Sequence, residues 1–101
     1  MKLNNPFSDA TRRLFTYNYS CFYCGQNGWD AGHHILGRVS NSPLNFSPIH
    51  NIKCHIGNGR LDGFDVRSTL LRKTLSFLQD EGYILTKEDK EFMEKYKQYY
   101  E

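Results

Sequence analysis

The side chains best suited to chemistry in this sequence are its cysteines and histidines, and they occupy a single stretch. All three cysteines and all four histidines fall between Cys21 and His55, about a third of the 101 residues. A random scatter would not crowd seven such residues together. An odd number of cysteines does not suit a disulfide framework, whereas thiolate and imidazole groups are the donors that zinc prefers. The clustering therefore predicts a metal site.

Four of these residues have the spacing of a closed zinc site. Cys21 and Cys24 form a CxxC turn, from which both thiolates can reach one tetrahedral ion. His50 and Cys54 are four positions apart, so they share a face if this segment is helical, whereas His55 is turned about 100° away. We therefore expect these four residues to bind a structural zinc ion as a Cys3His site.

The three remaining histidines predict a second site with a different purpose. His33 and His34 stand side by side in "DAGHHILGR", which has the character of an extended strand. Neighbouring side chains of a strand point to opposite faces, so the two imidazoles cannot share one role. His33 and His55 are candidates to hold a divalent ion, with His34 beside it as a general base. The simpler alternative is one buried histidine with a satisfied hydrogen bond and one solvated neighbour.

These residues together resemble a known family. Residues 21 to about 60, "CFYCG…AGHHILGR…LNF…HNIKCHIGN", are similar to the HNH nucleases, particularly the small zinc-stapled members of phages and bacteria. The resemblance implies a ββα-metal finger and a hydrolase activity on phosphodiester bonds. It makes His34 the general base, and His33 and His55 the ligands of a catalytic Mg²⁺, Mn²⁺, Ni²⁺ or Zn²⁺. Asn45 matches the loop asparagine whose hydrogen bonds fix the position of the base.

The sequence departs from the family pattern in two places. His50-x3-Cys54 replaces the second CxxC-like pair that the family usually supplies for the structural zinc. Gly57 and Gly59 follow His55 closely, so we expect the helix that carries this ligand to be very short or to restart.

Helices are predicted on both sides of the metal-binding stretch. Ser8 can cap a helix from Asp9 to about Phe15. Asp65 is expected to cap a helix that runs to about Glu81 and stops at Gly82. Thr86 and Asp89 resemble a capping box that opens a last helix. Apolar residues at helical spacing predict core packing on these helices: Val66, Leu70, Leu71, Leu75, Leu78, Phe92, Met93, Tyr96, and Tyr99 or Tyr100.

The organisation expected from this pattern is a single α+β domain over residues 1–101. Its ββα-metal and zinc core spans residues 21–60, and a helical C-terminal extension spans residues 61–101. Between the two histidine-rich segments, Pro43 and Pro48 exclude a regular helix or a central strand.

The charge distribution favours a polyanionic partner. Residues 1–60 carry six Lys and Arg residues against two acids, whereas residues 61–101 carry seven against nine. We expect the partner to be DNA, and Arg38, Lys53 and Arg60 are candidates for contacts with backbone phosphates.

Localisation and further partners follow from weaker signals. No apolar run reaches the roughly 18–20 residues that cross a bilayer, and "MKLNNPFSDA" lacks the apolar core of a signal peptide. We therefore expect a cytoplasmic protein, of a bacterial or phage-infected cell, with no membrane association. The aromatic C-terminal helices are a candidate surface for a homodimer or a phage-protein partner.

Two other functions share much of the same evidence. A non-catalytic zinc module that binds DNA or protein would use the same zinc ligands and keep only a relic HNH motif. An RNA-directed nuclease would use the same chemistry on a different sugar. The complete set of His33, His34 and His55 favours an enzyme over the relic.

Overall fold

The computed structural model describes residues 7–15, 20–51, 54, 61 and 63–101. These residues form a small α+β structure with three α-helices and one two-stranded antiparallel sheet. The same residues also form two short 3-10 helices. Pro43–Asn45 precedes the second strand, and Lys97–Tyr99 follows the last α-helix. The regular elements in chain order are α1 Asp9–Leu14, β1 Ala31–His34, β2 Phe46–Ile49, α2 Phe64–Asp80 and α3 Lys87–Lys95.

The sheet places the tandem histidines opposite a buried strand. His33 pairs with Ser47 and His34 pairs with Phe46. Pro48 lies within β2, which a two-stranded sheet tolerates because both strands are edges. A Cβ atom on Gly32 would lie 2.3 Å from the Phe46 ring, so the close approach of β1 to that ring requires glycine. The turn-rich composition before His50 does not predict β2.

The first helix begins as the sequence predicts. Ser8 caps α1, and its side chain accepts a hydrogen bond from the Thr11 amide at 3.2 Å. The second helix differs at its start, because Gly63 occupies the N-cap position and Asp65 lies within the first turn. There the Asp65 carboxylate still interacts favourably with the helix dipole, although it makes no cap.

The later helix boundaries agree with the predicted signals. Gly82 has a φ of +79° and follows the end of α2, where the Tyr83 amide donates to the Leu78 carbonyl at 2.9 Å. The capping box of α3 is complete, since Thr86 and Asp89 each accept a hydrogen bond from the other's backbone amide.

A core of aromatic and leucine side chains joins α2 to the sheet. Phe15 is fully buried and stacks between the Phe46 and Phe77 rings, with centroid separations of 4.4 and 5.1 Å. Two polar contacts reinforce this packing: Thr74 Oγ1 donates to the Phe46 carbonyl at 2.7 Å, and Lys73 Nζ donates to a carbonyl of the CxxC turn at 2.9 Å. The helix α2 is therefore the platform against which β2 and the CxxC turn are positioned.

A second, smaller cluster of buried residues adjoins the first, and Trp29 and Val66 pack against both. It contains Cys21, Ile49, Cys54 and Leu61, all buried, and Ala31 of β1 packs against it. The first cysteine of the CxxC turn is thus anchored in apolar surroundings.

None of the helices in the described part of the chain combines the length and the apolar character needed to cross a membrane.

Candidate metal centre and histidine cleft

The four residues predicted to bind zinc converge on one point. The ligand atoms of Cys21, Cys24, His50 and Cys54 all lie within 4.8 Å of one another. Cys21 Sγ is 3.6 Å from Cys54 Sγ, and His50 Nδ1 is 3.4 Å from Cys24 Sγ and 3.7 Å from Cys54 Sγ. The prediction that these residues are positioned to hold a metal ion is confirmed.

These separations match the edges of a tetrahedron of zinc ligands. With Zn–S bonds of about 2.3 Å, two sulfur ligands of a tetrahedral ion lie roughly 3.8 Å apart. Three thiolates and one imidazole form a soft donor set, which is typical of structural zinc rather than of calcium or magnesium. The donor set and its spacing therefore fit a structural Zn²⁺ ion.

The CxxC turn is built by local backbone bonds. The Gly25 amide donates to the Cys21 carbonyl at 2.8 Å, and the Cys21 amide donates to the Gln26 carbonyl at 2.9 Å. Gly25 has a φ of +77°, which only glycine adopts at low cost. The Cys24 amide also donates to Cys21 Sγ at 3.5 Å, which stabilises a thiolate there. The turn is thus shaped to present both sulfurs to one ion.

A backbone contact sets the tautomer of His50. His50 Nε2 lies 2.9 Å from the Asn27 carbonyl oxygen, which can only accept a hydrogen bond. Nε2 therefore carries the proton, and the lone pair of Nδ1 points at the sulfur atoms. Cys54 is brought to the same point by one helical turn, in which its amide donates to the His50 carbonyl at 3.1 Å.

The sulfur atoms of Cys21, Cys24 and Cys54 lie so close together that their thiolate forms repel one another unless a cation is bound between them. Burial raises the pKa of Cys54 to about 12, together with the hydrogen bonds that its thiol donates to Cys24 and Cys21 and the negative charges of those two thiolates. A bound metal ion reverses this effect, because it deprotonates its thiol ligands outright. Cys21 and Cys54 are buried, whereas Cys24 is exposed, so the cluster opens to solvent on one side.

The tandem histidines line a separate polar cleft. Residues of β1 and of the loop that follows it surround a volume of about 320 Å³. His33, His34 and Arg38 line this cleft, and so does Asn51, which lies in the turn that leads to the metal cluster. The two predicted sites are therefore neighbours along β1 and β2.

The imidazole of His34 is held from two directions. Its ring stacks on Phe7 with centroids 3.9 Å apart and an interplanar angle of 13°. Its Nε2 atom is 2.9 Å from Asn41 Oδ1, an acceptor, so Nε2 carries the proton and Nδ1 keeps the lone pair. Burial lowers the pKa of His34 below 6.5; the bond with Asn41 opposes this shift and the charge of Arg38 adds to it. The lowered pKa favours the neutral form of the ring.

Asn45 cross-links the loop that follows β1. Its side chain is fully buried, and Oδ1 accepts a hydrogen bond from the Leu36 amide at 2.9 Å. Its Nδ2 group donates to the Gly37 carbonyl at 3.0 Å and to the Ser40 carbonyl at 2.9 Å. The Ile35 amide donates to the Asn45 carbonyl at 2.9 Å. One side chain thus satisfies three backbone groups of a loop without regular structure.

The other predicted site residues are placed only in part. Arg38 is exposed at the rim of the cleft. His55, Lys53 and Arg60 lie outside the described residues, so the predicted convergence of His33 and His55 stays a prediction. The expected interruption of the metal helix at Gly57 and Gly59 lies outside them as well.

Three groups that contact the histidines of these sites are not predicted from the sequence. The Asn27 carbonyl is a backbone group, so no residue type signals its role towards His50. Phe7 meets His34 only through tertiary packing, 27 positions along the chain. Of the three, only Asn41 could have been found from the sequence, because a polar residue in a turn-rich segment near a histidine is a candidate hydrogen-bond partner for it.

Comparisons with protein families, with curated proteins and with solved structures give no match to this chain.

Proposed function

We propose that this chain is a metal-dependent endonuclease of the HNH type that hydrolyses phosphodiester bonds in DNA. The observation that carries the proposal is the cleft beside β1, which two adjacent imidazoles and a guanidinium group line together. The Cys3His cluster that could hold the structural metal is made of other residues, so neither histidine of the cleft belongs to it.

The order of elements supports a ββα-metal finger. β1 and β2 form an antiparallel pair, and the chain turns into a helical conformation directly after β2, where the Cys54 amide bonds the His50 carbonyl. The position that the resemblance gives to the second catalytic ligand, His55, comes next along the chain.

His34 would act as the general base. Its Nδ1 lone pair can accept a proton from a water molecule aligned with the scissile phosphorus, because the lowered pKa favours the neutral ring and its other nitrogen is bonded to Asn41. Deprotonating water in this way is typically worth about 10²–10⁴-fold in rate. Asn45 would hold the loop between the base and Arg38 at its working geometry.

His33 would hold a divalent ion together with His55. An imidazole that lines a polar cleft one residue from the base suits a borderline metal such as Zn²⁺ or Ni²⁺. The ion would supply charge stabilisation at the scissile phosphate. Arg38, at the rim, would bind a neighbouring non-bridging phosphate oxygen and keep the strand in register.

A cleavage assay tests this proposal. Zinc-loaded protein is incubated with supercoiled plasmid DNA or with single-stranded RNA, in Mg²⁺, Mn²⁺, Ni²⁺ or Zn²⁺, or in EDTA. We expect cleavage of the plasmid that requires a divalent ion in addition to the structural zinc. His34→Ala and His34→Gln should both lower the rate about 10²–10⁴-fold. The glutamine variant retains an amide that can reach Asn41, so it separates proton transfer from hydrogen bonding.

The controls separate the alternatives. Ile84→Ala, at a residue 85% exposed in the loop between α2 and α3, should cleave like the wild type. Cleavage of RNA alone would assign the enzyme to RNA, and DNA binding without cleavage under every condition would favour the non-catalytic module. Wild-type rates in both His34 variants, with zinc content unchanged, would remove His34 from the mechanism.

A further inference from the structure

We propose that Asn41, Ser42 and Asp89 form a positioning relay through which the C-terminal helix α3 sets the orientation of His34. The catalytic consequence of the relay rests on the proposed function, whereas its effect on the His34 ring does not. The relay connects the segment that resembles a nuclease to the helical extension that lies outside the resemblance.

The first link acts on the imidazole ring itself. Stacking on Phe7 fixes the plane of the His34 ring but permits a 180° flip about the Cβ–Cγ bond, which keeps that plane and exchanges Nε2 with Cε1. The 2.9 Å hydrogen bond from Nε2 to Asn41 Oδ1 removes this freedom. It also selects the tautomer in which Nδ1 carries the lone pair. The position of Asn41 therefore decides where the proton-accepting atom of His34 points.

The second link holds the backbone next to Asn41. Ser42 Oγ donates to Asp89 Oδ1 at 2.6 Å and accepts a hydrogen bond from the Leu44 amide at 3.1 Å. The hydroxyl group thus caps the 3-10 helix Pro43–Asn45 and ties it to α3 at the same time. A displacement of Ser42 would move Asn41, the adjacent residue, away from the imidazole.

The third link makes Asp89 a rigid anchor. Its carboxylate is 2% exposed and also accepts hydrogen bonds from Tyr83 OH at 2.5 Å and from the Thr86 amide at 2.9 Å. Hydrogen bonds to a buried carboxylate are charge-assisted and shorter than neutral ones. Because Asp89 belongs to the capping box of α3, its position follows from the helix rather than from the loop.

The relay complements Asn45 instead of duplicating it. Asn45 binds the loop at Leu36, Gly37 and Ser40, on the side that leaves β1. Ser42 is the point where the same loop contacts α3. The loop is therefore held twice, once by Asn45 of the 3-10 helix Pro43–Asn45 and once by the C-terminal extension.

The first test removes and restores the acceptor for His34. Asn41→Ala should lower kcat for plasmid cleavage roughly 10–100-fold, the range typical of residues that orient a catalytic side chain. The KM for DNA should stay within about twofold, because the change reorients the base rather than the substrate. Asn41→Asp keeps an acceptor oxygen at the same position and should recover most of the lost kcat.

The second test uses two hydroxyl groups that donate to the same carboxylate. Ser42→Ala breaks the relay and should lower kcat about threefold to tenfold, the factor that one hydrogen bond typically contributes. Ser42→Thr keeps the hydroxyl and should restore kcat. Tyr83→Phe also removes a donor to Asp89 but keeps the bond between Ser42 and Asp89, so it should lower kcat less than Ser42→Ala does.

A spectroscopic readout tests the relay independently of activity. Long-range ¹H–¹⁵N spectra of the four histidines, with His34 assigned through His34→Gln, should show the Nε2-protonated tautomer of His34 in the wild type and in the control Ile84→Ala. Asn41→Ala and Ser42→Ala should shift the His34 signals towards a mixture of tautomers. If these signals are unchanged in both variants, the relay is wrong, whether or not the protein cleaves DNA.

Activity separates the two ideas. If the wild type cleaves DNA and Asn41→Ala retains the full kcat, the relay is overturned while the nuclease assignment stands. If the wild type cleaves nothing but the His34 signals change as expected, the hydrogen-bond relay stands and the nuclease assignment fails.

Discussion

Two regions of this chain reach a defined structure by different means. Between residues 20 and 54, the strands have only four residues each, and side chains that bond backbone groups hold the connecting loops. Between residues 63 and 101, helices of 17 and 9 residues pack through buried leucine and phenylalanine side chains. Among the residues that the structure describes, the first region carries every candidate ligand and base, and the second carries most of the regular structure.

The difference shows how a small chain can keep reactive groups in place. Long helices bury enough apolar surface to be stable, but their regular geometry offers few ways to converge several side chains on one point. Loops converge side chains easily, yet each ordered residue costs conformational entropy. Here the four converging residues of the Cys3His cluster, the Asn45 side chain and contacts with α2 and α3 supply the order that the loops lack.

The largest effect should come from the metal cluster. Cys24→Ser, or removal of zinc by a chelator, should unfold residues 20–54, because a structural zinc site contributes on the order of 10 kcal/mol and this approaches the whole stability of such a chain. Zinc content by native mass spectrometry and thermal denaturation by circular dichroism measure the effect. Gln26→Ser, in the same turn but not at a ligand, is the matched control. A full zinc content and an unchanged Tm in Cys24→Ser would argue against a structural metal.

A substitution in the helical region should separate the two kinds of stabilisation. Leu71 is fully buried on α2, and Leu71→Ala should cost about 2–5 kcal/mol through lost burial and the resulting cavity. Urea titration measures this loss of stability. In the absence of urea, the folded variant should still bind one zinc ion per chain. Ser76→Ala, on the exposed side of the same helix, should change stability by less than about 0.5 kcal/mol. Loss of zinc from folded Leu71→Ala would mean that the regions are not separable.

Removing Asn45 tests whether one side chain orders the loop. Asn45→Ala deletes three hydrogen bonds to the backbone and should cost about 2–3 kcal/mol, since the buried Leu36 amide loses its acceptor. Hydrogen exchange at that amide should accelerate more than at amides in α2. Asn27→Ala, at an exposed asparagine, serves as the control because it keeps the backbone carbonyl that bonds His50. Equal exchange at Leu36 in wild type and Asn45→Ala would contradict this role.

The smallest expected effect is on the pH dependence of stability, and it comes from Asp89, which joins the two regions through its bond with Ser42. Burial raises the pKa of Asp89, but hydrogen bonds from Ser42, Tyr83 and Thr86 outweigh it, so the pKa lies below the usual 3.8. A lowered pKa contributes stability that is present above pH 3.8 and is lost as the pH falls through the folded value. Urea titrations between pH 7 and pH 2 should therefore show a steeper acid loss for the wild type than for Asp89→Asn. Glu88→Gln, at the exposed neighbour, should keep the wild-type profile; parallel profiles for Asp89→Asn would refute the shift.

The sequence alone determined the features that depend on short spacing. Cys21 and Cys24 lie in one turn, and His50 and Cys54 lie one helical turn apart, so backbone geometry brings each pair together without help from distant residues. The same holds for the helix signals, where Ser8 and Thr86 cap the helices they precede. The start of α2 at Gly63, instead of at Asp65, shows how a single-residue shift escapes such signals.

Only the tertiary structure decided how these local pieces meet. The Phe22 amide donates to the Pro48 carbonyl and so ties the CxxC turn to β2, which leads to His50. The absence of a side chain at Gly32 leaves room on β1 for the Phe46 ring of β2. The bond between Ser42 and Asp89 joins residues 47 positions apart. Contacts of this kind depend on how several packed surfaces fit at once, and no periodicity within a segment encodes that fit.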